Sequence, residues 1–221
     1  MAGKPRLDPD GANTRVVALA GATGLVGRAI LEGLLADASV AAVHALGRRA
    51  PGVAHSKLIP HVVDFAALPP LSPLDEVYLA LGTTIKASGS QSAFRAVDFD
   101  ANLAVARAAL AAGARRAGLV SAMGAASIFY NRVKGEIEDL TQLPFGGLVI
   151  ARPSLLVGDR EALGQAGRPT ERVATVVSRL LGALVPANYR PIAASDVARA
   201  LLARVPAPRG RVVLLSGEMQ G

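Results

Sequence analysis

The chain of 221 residues has no cysteine and no tryptophan, and aromatic residues make up only 4% of it. Without thiols there can be no disulfide framework, no thiol nucleophile and no zinc site built on thiolates. With so few rings, the core has to be made of Ala, Val, Leu and Ile. Apolar residues reach 51% of the chain, enough to fill one domain without covalent staples. Long apolar runs are missing too: charge-free stretches such as Ala117 to Asn131 are shorter than a membrane span and are broken by Ser, Gly and Asn. The opening MAGKPRLDPDGANTR lacks the apolar block of a secretory signal. Residues 1–14 are therefore expected to be a flexible polar tail and 15–221 a single domain, in the cytoplasm. The 24 Lys and Arg exceed the 17 Asp and Glu, for a net charge of +7. The basic residues are scattered, however, and few rings are available to stack on bases, which argues against nucleic acid as a partner.

What is present is alternation. Arg15 to Ala20, Val40 to Leu46, Lys57 to Val63, Asp75 to Leu81, Ala117 to Ser121 and Gly147 to Ala151 read as short apolar strands. Pro60 assigns the third of these to an edge. Helical spacing runs from Leu25 to the Asp37 and Ser39 stop, from Gln91 to Ala112, and from Ile128 to Leu143. Beyond Arg152-Pro153, helical stretches at Glu171 to Leu184 and Ser195 to Arg204 and an apolar run at Val212 to Leu215 suggest a small C-terminal elaboration capping the sheet edge. Strand and helix units of this length predict an α/β fold, a doubly wound parallel sheet of the Rossmann type, binding ligands beyond the carboxyl ends of its strands.

Gly21-Ala22-Thr23-Gly24-Leu25-Val26-Gly27 follows strand one directly and opens a helix. In such a turn Gly21 permits the tight bend, Gly24 lets backbone approach a pyrophosphate and Gly27 allows close packing, while the helix N-terminus offers N–H donors to phosphate. A phosphate-binding loop of the nucleotide-hydrolysing kind is disfavoured, because Val26 stands where its second Gly is needed and Arg28 follows Gly27. Strand two ends in Leu46-Gly47-Arg48-Arg49, with two arginines where a carboxylate commonly holds bare ribose hydroxyls. Guanidinium forks suit a ribose 2′-phosphate, so NADP(H) is preferred over NAD(H).

Tyr130 and Lys134 lie four apart on the helix expected over Ile128 to Leu143, hence on one face. A nearby ammonium favours the phenolate, and the pair can move a proton to or from a substrate oxygen. Other chemistry finds little support. His44, His55 and His61 are dispersed and show no spacing with a carboxylate that would hold a metal. Ser121 lies in GLVSA, not in a nucleophile elbow. Glu136 and Glu138, two apart on a helix, face different directions.

The glycine turn, the strand ending in Ser121 and the Tyr130–Lys134 pair together resemble the short-chain dehydrogenases/reductases of the small atypical or extended type. Within them LGTT at Leu81 to Thr84, SAMGA at Ser121 to Ala125, FYNRVKGEIE at Phe129 to Glu138 and RPSLLVGDRE at Arg152 to Glu161 look most like the HTATIP2/TIP30-like oxidoreductase group. Its bacterial members are often labelled nucleoside-diphosphate-sugar epimerases, and a bacterial protein is expected here. The resemblance implies that Gly21 to Gly27 wrap the pyrophosphate, that Arg48 and Arg49 hold the 2′-phosphate, and that Asp64 and Phe65 flank the adenine. It further implies that Leu81, Gly82 and Thr83 lie near a cofactor ribose and that Pro153 to Leu156 run along the nicotinamide. Tyr130 would be the proton donor or acceptor with Lys134 as partner, Lys134 would also bind ribose hydroxyls, and Ser121 would polarise a carbonyl. Arg168 would touch cofactor or substrate.

The sequence departs from extended members at Met123, where they carry Ser or Thr, and at Val97-Asp98, where they carry Val-Asn. Little chain after Pro153 remains for a nucleotide-sugar pocket. The expectation is thus an NADP(H)-dependent oxidoreductase acting on a small carbonyl or alcohol, a monomer or homodimer. The alternatives are a non-turning-over NADP(H) sensor, or an epimerase or dehydratase of nucleotide sugars.

Overall fold

The computed structural model describes residues 6–7, 13–83, 89–122, 142–158, 186–208 and 210–220. Seven strands run parallel: β2 (Asn13–Ala20), β3 (Val40–Gly47), β4 (Leu58–Val62), β5 (Glu76–Leu79), β6 (Arg116–Val120), β7 (Gly147–Arg152) and β10 (Gly210–Leu215). Their order across the sheet is β10-β7-β6-β5-β2-β3-β4. The chain thus winds outward from β2 in one direction through β3 and β4, then returns to β2's other side and winds the opposite way from β5. This reversal opens a crevice above β2, where such sheets bind ligands.

Helix α1 (Leu25–Ala36) follows β2 and covers one face. The segment expected as one helix over Gln91 to Ala112 is three pieces: α2 (Gln91–Arg95), a π-turn (Ala96–Ala101) and α3 (Asn102–Ala111). Apolar periodicity does not reveal the π-turn, which inserts an extra residue without removing apolar positions. It carries Phe99, over whose ring the Arg95 guanidinium sits 4.7 Å from the centroid. Helix α4 (Ala194–Arg204) shares the α1 face: Ile30 and Leu34 of α1 and Val197 and Leu201 of α4 belong to one buried cluster with Val17 and Leu19 of β2. On the opposite face Val105, Ala106 and Ala109 of α3 pack with Ala18, Val77 and Leu119. Two rings also reach the core, since Tyr78 and Phe94 are among the largest fully buried side chains.

Three local outcomes differ from the sequence reading. Arg6–Leu7 (β1), inside the expected tail, pair antiparallel with Asn13 and Thr14. The apolar run ending at Leu215 does not cap the sheet edge but extends the sheet as β10, in parallel register with β7. A small second sheet pairs β8 (Leu156–Val157) with β9 (Ile192–Ala193), and the short α5 (Ser216–Met219) closes the described chain. Pro60 does lie in the edge strand β4, beside Ala45 of β3. Among the described residues no helix is long and apolar enough to cross a membrane.

The amino ends of β2, β5 and β6 share a buried charge network. Arg15 Nη1 donates to Glu76 Oε2 at 2.6 Å and Nη2 pairs with Asp37, while Arg116 Nε stands 3.3 Å from Glu76 Oε1. The Tyr78 hydroxyl donates to Glu76 Oε2 at 3.4 Å. Burial pushes the Glu76 carboxyl above its ordinary value, against the pull of Arg15 and Arg116, and pushes the Tyr78 phenol up as well. This network lies at the end of the sheet opposite the crevice, leaving it a structural part.

Candidate nucleotide-binding site

At the carboxyl ends of β2, β3 and β5 lies a cavity of about 660 Å3, within the ordinary size of ligand pockets. Its floor is the glycine turn, Gly21 to Gly24. Gly21 has φ +92, and a Cβ there would stand 2.5 Å from the Ala80 carbonyl oxygen. The turn thus presses directly on the chain leaving β5, and only glycine fits. A Cβ on Gly27 would stand 2.0 Å from the Gly21 carbonyl oxygen, so this glycine lets α1 close onto the turn itself. Gly24 is different. Its φ of −84 and ψ of 167 suit any residue, and a Cβ there would meet nothing nearer than 3.4 Å. Its side of the turn is open, and α1 begins with neither a side-chain cap nor an acidic residue in its first turn. An uncapped helix start over an open glycine is an arrangement that fits a phosphate.

One wall comes from the ends of β3 and β4, tied by the Val63 N–H donating to the Gly47 carbonyl at 2.9 Å. Arg48 and Arg49 line the cavity here, as do Asp64 and Phe65. Both arginines are exposed. Asp64 Oδ1 accepts from the Ala66 N–H at 2.9 Å, which fixes the turn carrying it. The opposite wall is Leu81 and Gly82 after β5, together with Ala96, Val97 and Ala101 of the π-turn.

The structure therefore gathers Gly21, Ala22, Thr23, Gly24, Arg48, Arg49, Asp64, Phe65, Leu81 and Gly82 around one cavity. Leu25, Val26, Gly27, Thr83, Ser121, Pro153 and Leu156 do not line it. Val26 and Gly27 are buried in the α1 packing. Ser121, 4% exposed, follows β6, with its N–H donating to the Ala151 carbonyl at 2.8 Å. Pro153 is buried after β7, and Leu156 packs in β8 against the α1-side core. Gly158, just beyond, approaches the Leu25 side chain, where its Cβ would come within 3.0 Å. The strand that carries Leu156 thus passes near the start of α1. Tyr130, Lys134 and Arg168 lie outside the described residues.

Two features escaped the sequence reading. Asn102, fully buried at the start of α3, donates from Nδ2 to the Leu81 carbonyl at 3.1 Å; its only sequence signal is a polar residue amid an Ala-rich apolar helix. The dispersed His44 and His61 meet across β3 and β4, Nδ1 to Nε2 at 2.8 Å with rings stacked 5.1 Å apart. Among the described residues no three His, Cys, Asp or Glu could hold a metal.

Strand order, a glycine turn at the switch point and a cavity spanning β3 to β5 define a doubly wound α/β fold of the Rossmann type. Solved structures share it. MoeE5 in complex with UDP-glucose and NAD superposes with a TM-score of 0.66 at 20% identity, over 90% of this chain and 74% of that one. A short chain dehydrogenase family protein from Francisella tularensis gives 0.62 at 11% identity, over 93% and 98%. No protein-family model matches the chain. Sequence relatives are nearer: the mitochondrial protein fmp52 of Emericella nidulans is 38% identical over 180 residues, 75% of this chain and 76% of the relative. That of Candida albicans is 32% identical over 191 residues, 81% and 82%. The chain belongs to the fmp52 family.

These relatives overturn the expected bacterial source and cytoplasmic location, because they are fungal and named as mitochondrial. The physical reason lies in the criterion. An apolar block is the mark of a secretory signal alone, and its absence carries no information on mitochondrial leaders, which are Arg-rich and amphipathic and contain no such block.

Proposed function

We propose that the chain binds NADP(H) across the β3–β2–β5 crevice and works as a short-chain-dehydrogenase-type oxidoreductase on a small carbonyl or alcohol. The observation that carries this reading is the joining, around one cavity, of an open glycine turn and two arginines at the end of β3. Gly21 to Gly24 and the start of α1 would hold the pyrophosphate, and Arg48 and Arg49 the 2′-phosphate. Asp64 and Phe65 would flank the adenine. When bound, the dinucleotide supplies or accepts hydride. Tyr130 would give or take the proton at the substrate oxygen, Lys134 would favour its phenolate and bind ribose hydroxyls, and Ser121 would hold the carbonyl. Pro153 and Leu156 would bound the nicotinamide end, with Thr83 beside the ribose and Arg168 at cofactor or substrate. The finer kinship with the HTATIP2/TIP30-like oxidoreductases is part of this proposal. Neighbours such as MoeE5 were solved with a nucleotide sugar, and an epimerase or dehydratase of nucleotide sugars is the second reading.

Calorimetric titration with NADPH and NADH tests the cofactor half. Binding of NADPH is expected to exceed that of NADH, and Arg48→Ala with Arg49→Ala to weaken NADPH by about tenfold to a hundredfold, the worth of one charge-assisted contact of roughly 1.5–3 kcal/mol. NADH should hardly change. Equal affinities in the unaltered protein would remove the role of the arginines. For the chemical half, Tyr130→Phe is expected to abolish turnover while leaving NADPH binding within about twofold; a Phe variant with full turnover would leave binding without this chemistry, as in a sensor.

A further inference from the structure

We infer that Asn102 is a positioning residue for the half of the dinucleotide beyond the pyrophosphate. The inference rests on the proposed reading of the cavity and adds a member that no motif marks. A bound dinucleotide has to cross the sheet end from the arginines of β3, over the glycine turn of β2, to the chain leaving β5. On that far side the wall is Leu81 and Gly82. These residues belong to an irregular segment rather than to β5, which ends at Leu79. The segment is held from two sides. From one side the Ala80 N–H donates to the Ala20 carbonyl at 3.0 Å, and Gly21 closes on the same residue. From the other, Asn102 Nδ2 donates to the Leu81 carbonyl at 3.1 Å.

Asn102 is fully buried, and an amide placed mid-helix in a core is costly unless it is used. It follows the π-turn directly, and Ala96, Val97 and Ala101 of that turn form the neighbouring wall. One element therefore supplies both a cavity wall and the donor that fixes the adjoining loop. A π-turn of this kind often marks a functional position. The Leu81 carbonyl is a backbone acceptor, so the requirement is for a donor of this length. Asp has the same shape but sets a carboxylate oxygen against the carbonyl.

The test compares two ligands on the intact protein by calorimetry: NADPH, which spans both halves, and 2′,5′-ADP, which reaches only the adenosine side. Asn102→Asp is expected to weaken NADPH about tenfold or more while 2′,5′-ADP stays within about twofold. If the Asp variant does not fold, Asn102→Ala, which removes the donor without adding an acceptor, carries the same comparison with a smaller ratio. Equal weakening of both ligands, as a general structural loss would give, overturns the inference, and so does unchanged NADPH binding. Should the unaltered protein bind neither ligand, the reading of the cavity itself fails, an outcome distinct from the other two.

Discussion

Gly24→Asp is expected to raise stability slightly while weakening the proposed NADPH binding by about a hundredfold or more, and Gly27→Ala, three residues on, to cost about 3 kcal/mol. The two glycines share a motif but not a reason for being glycine. At Gly24 the backbone is extended and a Cβ would have 3.4 Å to its nearest neighbour, the Gly21 carbonyl. An Asp there becomes the N-cap that α1 lacks, worth roughly 0.5–1 kcal/mol with the helix dipole added. The same carboxylate would fill the place proposed for the pyrophosphate and repel it, so NADPH affinity should fall by about a hundredfold or more. At Gly27 a Cβ would sit 2.0 Å from a backbone oxygen, which cannot rotate away. Alanine's better helix propensity returns only about 1 kcal/mol; overpacking against backbone exceeds it. For a chain of 221 residues, a net loss near 3 kcal/mol lowers Tm by about 6–12 °C. Thermal melts and calorimetry on both variants decide the matter. A Gly24→Asp protein that still binds NADPH would mean that the open face of the turn holds no phosphate.

The parts of the fold visible in the sequence are those written in local pattern. β2 and its glycine turn announce themselves because a parallel strand buried on both faces must be continuously apolar and because the turn needs residues without Cβ. Pro60 marks the edge for an equally local reason, having no N–H to donate. Non-local facts were not legible. Val212 to Leu215 is as apolar as any other strand, and only its pairing with β7 shows that it belongs to the sheet. The His44–His61 contact depends on the β3–β4 register, which no spacing between residues 44 and 61 encodes. At the cavity, the lining loops could be placed in advance because each follows a strand. Asn102 could not, because its meaning lies in a backbone carbonyl twenty-one residues away. The compartment was not legible for a different reason: an apolar block marks a secretory signal alone and carries no information on Arg-rich amphipathic leaders.

Arg15→Met is expected to destabilise the protein by about 3 kcal/mol near neutral pH, and by clearly less in acid. Glu76 is fully buried, with Arg15 at 2.6 Å on one oxygen and Arg116 at 3.3 Å from the other. Removing one partner of a buried pair typically costs 3–5 kcal/mol because the charge left behind cannot reach water. Arg116 remains, which sets the expectation at the lower end. The pH dependence follows from the direction in which each carboxyl is shifted. Burial raises the Glu76 pKa, so its protonated form suits the fold; that contribution is present below the unfolded pKa and is lost as pH rises through the folded one. Arg15 limits the rise, and without it Glu76 costs more at neutral pH but nothing extra once protonated. Asp37 runs the other way. Burial alone would raise it, but Ser39 and then Arg15 hold it below its ordinary value, so it stabilises above the unfolded pKa and loses that contribution as pH falls through the folded one. Between neutral pH and about pH 4.5 it is protonation of Glu76 that narrows the gap; Asp37 adds to the narrowing only below its unfolded pKa. Urea unfolding of the two proteins at about pH 7 and about pH 4.5 should show the difference shrinking by roughly half. Adding Glu76→Gln to Arg15→Met should recover part of the loss at neutral pH and little in acid, because Gln removes the stranded charge but keeps the shape. A gap that stayed constant with pH, or a double variant no better than the single one, would show that Arg15 acts through packing of its stem rather than through its charge.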